Sequence, residues 1–248
     1  MSKRFWTSAA VAAVPGGYAV LLDGKPLRLP GGVDLTVTAP ALAEAIAAEW
    51  QDAGACFGPD DVPLTGLAGA AQERVAANRA GMVESLIGYA RADLLCYRAA
   101  QPAALAAAQH AAWQPWLDWA AQRHGAALRV TTELRAIDQP AASLAALRTA
   151  LAAQSDAYLA ALGLAIPALG SCVLGLALAD GALTPLAALE ASALDELYQQ
   201  ARWGKDAEAA DRRARLLREI EHAFRFMELC RNDPGRHTGA PRVWGGHA

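Results

Sequence analysis

Short apolar runs broken by glycine and proline fill the first third of the chain, and a helical spacing then takes over. Ala9-Ala-Val-Ala-Ala-Val14 stops at Pro15-Gly16-Gly17, and Tyr18-Ala-Val-Leu-Leu22 stops at Asp23-Gly24-Lys25-Pro26. Leu27-Arg28-Leu29 stops at Pro30-Gly31-Gly32. Runs of this length suit strands, and each break has the residues of a tight turn. Leu35-Thr-Val-Thr38 alternates as a half-buried strand does, so a meander of short antiparallel strands is expected. Pro40 then opens a helix that brings Leu42, Ile46 and Trp50 near one face. Residues 54–63, with glycine, proline and paired aspartates, mark a domain boundary.

From Leu64 onward nearly every segment has helical spacing. Helices are expected over residues 65–86 and beyond, 102–124, 143–162, 168–179, 185–202 and 206–230. Gly125, Pro140, Gly163, Pro167, Gly181 and Gly204 supply the stops and turns, and residues 128–131 form a short extended piece. The apolar run over residues 167–179 is shorter than the ~20 residues a bilayer span needs, and suits a buried core helix. The fold class expected is α+β, with a small antiparallel β-rich N-terminal domain and one helix over residues 1–60. An all-helical domain is expected over 61–231, and a disordered tail over 232–248.

Composition narrows the function. At 248 residues there is ample chain for a core, and alanine inflates the hydrophobic share of 54%. A net charge of −3 gives no general attraction to nucleic acid. The densest basic cluster, Arg212-Arg213-Ala214-Arg215, sits among acids as a solvated helix face does. Cys56, Cys96, Cys172 and Cys230 lie too far apart in sequence for a zinc knuckle or redox dithiol, which points to reduced thiols in a cytosol. The basic start followed by an apolar run imitates a signal peptide, but the run passes straight into a turn and reads as a first strand.

Catalytic patterns are missing. His110, His124, His222, His237 and His247 have no metal-ligand spacing. Gly170-Ser171-Cys172 lacks the nucleophile elbow and reads as small residues that let helices pack closely. Gly16-Gly17 is a hairpin turn, and Asp60-Asp61 a linker that enters a helix. His110 and Asp118 are not a single turn apart. No metal, cofactor or enzymatic activity is expected.

Three blocks stand out instead. Trp113, Trp116 and Trp119 recur every third residue along one helix flank, as either a core seam or a partly open apolar groove. Pro115 among them implies a helix start or a kink. Tyr89, Asp93 and Tyr97 recur at four-residue intervals on one face. Arg91 and Asp93, two apart, cannot pair on a helix, so they reach different neighbours, either as interior ties or toward a partner. At Trp203-Gly204-Lys205-Asp206 two helices meet: Gly204 ends the first in a left-handed conformation and Asp206 caps the second. A large aromatic with charge on both sides is also a candidate contact surface.

Taken together these blocks resemble the ATP synthase F1-sector assembly chaperones that bind the α subunit, a family of mitochondria and alphaproteobacteria. The matching pieces are residues 17–28, 42–50, 63–67, 89–98, 113–119, 169–171 and 203–204, nearly the whole chain from Arg4-Phe5-Trp6 to Leu229. The resemblance implies a non-catalytic assembly factor that holds free α subunit and shields its β-facing surface until β displaces it. Neither cofactor, metal, nucleic acid nor membrane insertion is implied, and a monomer in the bacterial cytoplasm is expected. It further implies functional acids around the tryptophan corner. Their places before Arg202 and after Gly204 hold Ala201 and Lys205 here, while Asp206 keeps its acid. The candidate partner-binding set is therefore Trp203, Gly204 and Asp206 with Glu196 and Glu208, Glu190 being a further source of charge. Trp113, Trp116, Trp119, Arg91 and Asp93 form a structural set or a partner groove. The alternative is a small-molecule binder or enzyme with a pocket between the two domains.

Overall fold

The computed structural model describes residues 2–133, 135–204 and 206–231. Lys205, His237, His247 and the expected tail over 232–248 lie outside the described residues. Two compact units divide the chain: one takes residues 2–79, 156–161 and 222–231, the other residues 80–155 and 162–221. The first unit thus runs on past residue 60 to Arg79 and takes in two helical segments from later in the chain.

In the first unit the strands are β1 (Ser2–Lys3), β2 (Ala9–Val14), β3 (Gly17–Leu22), β4 (Lys25–Pro26), β5 (Thr36–Val37) and β6 (Cys56–Phe57). β2, β3 and β4 pair antiparallel in sequence order, and β5 also pairs antiparallel with β3. Asp23 and Gly24, both at positive φ, turn the chain between β3 and β4. The Asp23 carboxylate accepts from the N–H groups of Thr7 and Ser8, which hold its carboxyl down at about 2. Helix α1 (Pro40–Asp52) buries Leu42, Ile46 and Trp50, as its spacing predicts, and packs on β2, β3 and β5.

The residues around 54–63 do more than link. β6 pairs with β1, and Phe57 joins Trp6 and Trp50 in an edge-to-face cluster with ring separations of 4.7 to 5.3 Å. Trp6 donates to the Trp50 carbonyl, and Trp50 to the Thr65 hydroxyl, both at 2.9 Å. Helix α2 (Pro63–Gly69) is capped from a distance, because Glu49 accepts from the N–H groups of Leu64 and Thr65. Burial raises the Glu49 carboxyl against those bonds.

Helix α3 (Arg79–Arg91) is followed by α4 (Ala103–His124), α5 (Ala141–Ala152), α6 (Asp156–Leu169), α7 (Cys172–Ala179), α8 (Pro185–Ser192), α9 (Leu194–Trp203) and α10 (Ala207–Arg231). Several expected helices are split. Residues 65–86 pass through a π-helical turn at Ala70–Val75 before α3 begins. Residues 143–162 divide into α5 and α6, which opens with Asp156 where an acid suits the helix N-terminus. Helix α7 starts four residues later than expected because α6 continues through Pro167. Gly170 (φ +62°) then turns the chain, and Ser171 caps α7 by accepting from the Leu174 N–H. Residues 185–202 break at Ala193, which ends α8 and begins α9 outside helical geometry. The extended piece at 128–131 survives as a single parallel bridge between Thr131 and Tyr97.

The core of the second unit centres on α7, every residue of which is buried. A methyl group at Gly175 would lie 2.3 Å from the Ile166 side chain, so α6 and α7 approach as closely as they do because that position is glycine.

Candidate functional site

Helix α4 is the spine on which the site is built. It buries Leu105, Gln109, Trp113, Leu117, Trp119 and Ala120, and packs against α5, α7 and α9. It neither starts nor breaks at Pro115: the carbonyl four residues back, which loses its N–H partner, belongs to exposed Ala111 rather than to a buried residue. The three tryptophans take different roles. Trp113 has no exposed surface, donates to the Ala191 carbonyl at 2.8 Å, and carries the Arg98 guanidinium 5.5 Å from its ring centre. Trp119 is also core, edge-on to Trp116 and to His124. Trp116 alone is half-buried, and one side of it lines a groove.

That groove has a volume of about 480 Å³ and lies wholly within the helical unit. Alanines of α4 line it together with Trp116, Leu183, Glu190, Leu194, Leu197 and Tyr198. Helix α9, which has no fully buried residue, is tied to its neighbours by polar contacts as well as by packing on α4 and α8. Buried Gln109 donates to Asp195 at 2.6 Å while accepting from the Ala99 N–H. Glu196 pairs with both Arg212 and Arg213 of α10, and Arg213 also donates to Gln200. The outer surface of α8 and α9 stays apolar in places. Leu186 is 54% exposed, Leu197 36% and Trp203 79%, three of the six large apolar side chains found exposed among the described residues. Beside them Arg202 donates to the Tyr198 hydroxyl and lies over its ring.

At the corner, Gly204 has φ +101° and ψ 173°, a conformation essentially confined to glycine, and its N–H bonds to the Gln200 carbonyl. Asp206 caps α10, accepting from the N–H groups of Glu208 and Ala209. Glu208 is exposed, whereas Glu196 is held by two arginines of its own chain.

The block at residues 89–98 is arranged differently from its expected single helix face. Helix α3 ends at Arg91, because Asp93 leaves helical geometry to cap a 3-10 turn, Leu94–Cys96. Arg91 is exposed and is no interior tie, while Asp93 is fully buried and is one. Its Oδ1 accepts from the Leu95 N–H and its Oδ2 from the Val173 N–H, joining the turn to the start of α7. Burial pushes its carboxyl up to about 6 against these bonds and the Ser171 hydroxyl. The same burial, with the Asp93 charge, raises the Cys96 thiol to about 12 and the Cys172 thiol higher still, so both are inert at neutral pH. Asp118 accepts from Gln114 rather than meeting exposed His110.

Gln109, Asp195 and the groove wall formed by Leu183, Leu194, Leu197 and Tyr198 are not among the residues expected from the sequence. A signal existed in Leu194, Leu197 and Tyr198, spaced i, i+3, i+4 on one helix flank. Among the described residues no group of three histidines, cysteines or acids could hold a metal, and no helix is long and apolar enough to cross a membrane.

An α+β protein with apolar side chains left open on α8 and α9 has the makings of a protein-binding factor. A family model described as ATP12 chaperone protein matches residues 3–121. The crystal structure of Atp12 from Paracoccus denitrificans superposes with a TM-score of 0.87 at 39% identity, covering 92% of this chain and 98% of that one. A variant of that protein with one aspartate changed to lysine gives 0.87 and 38%, over 92% and 97%. A candidate chaperone from Agrobacterium tumefaciens gives 0.87 and 36%, over 91% and 85%. The chain belongs to the ATP12 chaperone family. Its role is that of a chaperone in ATP synthase assembly.

Proposed function

We propose that the chain binds the free α subunit of the F1 sector, shields the surface that will meet β, and is displaced when β competes for it. The observation that carries this reading is the exposed apolar side chains of α8 and α9: Leu186 and Trp203 stand exposed, and Leu197 is exposed where it lines the groove. Exposed apolar patches mark interaction sites, and tryptophan is a usual anchor of a protein interface. Holding a subunit needs shape and apolar complementarity but neither nucleotide nor metal, so the chain acts without catalysis. It also needs a dissociation rate that lets assembly proceed. The proposed site is the bacterial cytoplasm, where α is made. Among the candidate acids, Asp206, Glu208 and the groove's Glu190 make no intramolecular ion pair among the described residues, whereas Glu196 does.

A pull-down with purified α and β subunits tests the reading. Capture of α, released on addition of β, is expected. Capture of β alone, or of neither subunit, overturns it.

A further inference from the structure

Strand β2 is an open edge. It pairs only with β3, over six unbroken residue pairs from Ala9↔Leu22 to Val14↔Gly17. The two-residue turn closes on Val14 and Gly17, and Asp23 donates to the Ser8 carbonyl at 3.0 Å, so even-numbered residues bond inward to β3. Odd-numbered residues therefore aim their N–H and C=O away from the sheet. The Ala9 N–H points that way and is taken by the Gln51 side chain at 2.9 Å. The N–H and C=O groups of Val11 and Ala13 meet no partner among the described residues.

Natural sheet edges carry guards against pairing with another chain: a lysine, a proline, an inward charge or a bulge. Ala9–Val14 has none of these, being four alanines and two valines in straight register. We infer that β2 is a docking edge on which an extended, uncharged segment of the client subunit adds as a further antiparallel or parallel strand. The inference rests on the proposed chaperone reading. Absence of charge along β2 selects a neutral segment, since a buried unpaired charge on the incoming strand would find no counterion. Small side chains select a backbone-led contact, in which main-chain hydrogen bonds hold the segment and any side-chain order is tolerated.

A second copy of this chain is the weaker occupant. Stable dimers bury about 1,200 Å² or more, and alanine side chains of one methyl each leave a β2–β2 contact well short of that. A client held elsewhere on the chaperone loses its freedom of motion only once, so even a short strand contact adds to its affinity.

Hydrogen exchange resolved to single amides, read on the full chain alone and with purified α subunit, tests the edge. Exchange at Val11 and Ala13 is expected to be fast in the free chain and at least tenfold slower in the complex, with inward-bonded Ala10 and Ala12 protected in both. Val11→Pro removes one outward N–H at a position where an edge strand tolerates proline, and is expected to weaken capture. Val11→Thr keeps the N–H and is expected to bind as the native chain does. A complex that forms without slowing exchange at Val11 and Ala13 overturns the edge and leaves the chaperone reading standing. No complex at all sinks both. Protection of Val11 and Ala13 in the chain alone, rising with its concentration, overturns the client as occupant in favour of a second copy.

Discussion

Trp113, with no exposed surface, donates its indole N–H to the carbonyl of Ala191 at 2.8 Å. Ala191 sits in the last turn of α8, where helix carbonyls have no partner four residues ahead. One core side chain of α4 therefore completes the end of α8 and fixes where α9 begins. Ala191 also lines the groove, so the bond anchors one of its walls.

Trp113→Phe keeps most of the ring volume but leaves a buried carbonyl without a donor. The expected cost is about 1–3 kcal/mol of stability, read by urea denaturation. Capture of α subunit should weaken as well, since α8 and α9 lose a fixed junction. An unchanged midpoint would show that water reaches the Ala191 carbonyl.

Trp203 is the opposite case. At 79% exposure it contributes little to the fold, so Trp203→Ala is expected to shift stability by no more than about 0.5 kcal/mol. If it anchors the client, truncation costs about 2 kcal/mol or more of binding, roughly a thirtyfold loss of affinity. Titration calorimetry with α subunit measures that loss. Affinity within twofold of the native value would remove Trp203 from the interface.

Local spacing made the gross architecture legible. Turn residues marked Val14, Leu22 and Leu29, and the period change at Pro40 put Leu42, Ile46 and Trp50 where α1 buries them. Helix ends were less legible, because the break at Ala193 uses alanine, which carries no turn signal. Asp93 reads as a helix-face residue by spacing, yet its bonds reach Val173, eighty residues away, and only the tertiary fold reveals them. Trp203 and its corner stood out as a candidate surface from their local residues, a large aromatic with charge on both sides where two helices meet. The groove was anticipated only along the tryptophan flank of α4, because its other walls come from the Leu183 turn, α8 and α9.

Asp93 gives the fold a defined response to pH. Burial raises its carboxyl from the ordinary 3.8 to about 6, so the folded chain binds this proton more tightly than the unfolded chain does. Its contribution to stability is therefore fully present below about pH 4 and is lost as pH rises through 6, by about 3 kcal/mol in all. Asp93→Asn cannot ionise, so that part of the slope should vanish. The amide also offers one acceptor oxygen where Asp93 uses two, which costs about 1–3 kcal/mol at low pH. Urea denaturation of both proteins from pH 4 to 7 makes the comparison. Parallel curves would mean that the Asp93 carboxyl titrates in its ordinary range.

Asp206 carries two separable duties, capping α10 and presenting a charge beside Trp203. Asparagine caps a helix about as well as aspartate, so Asp206→Asn should leave stability within a few tenths of a kcal/mol while removing the charge. Asp206→Ala loses the cap as well and should cost about 1 kcal/mol. If the acid meets a basic group on the α subunit, both variants bind several-fold more weakly, and the deficit of Asp206→Asn shrinks as salt screens the exposed pair. Native-like capture by Asp206→Asn, with weakened capture by Asp206→Ala, would instead assign the residue to holding the first turn of α10 in place. Thermal melts and binding at two salt concentrations on the same pair of variants separate the two roles.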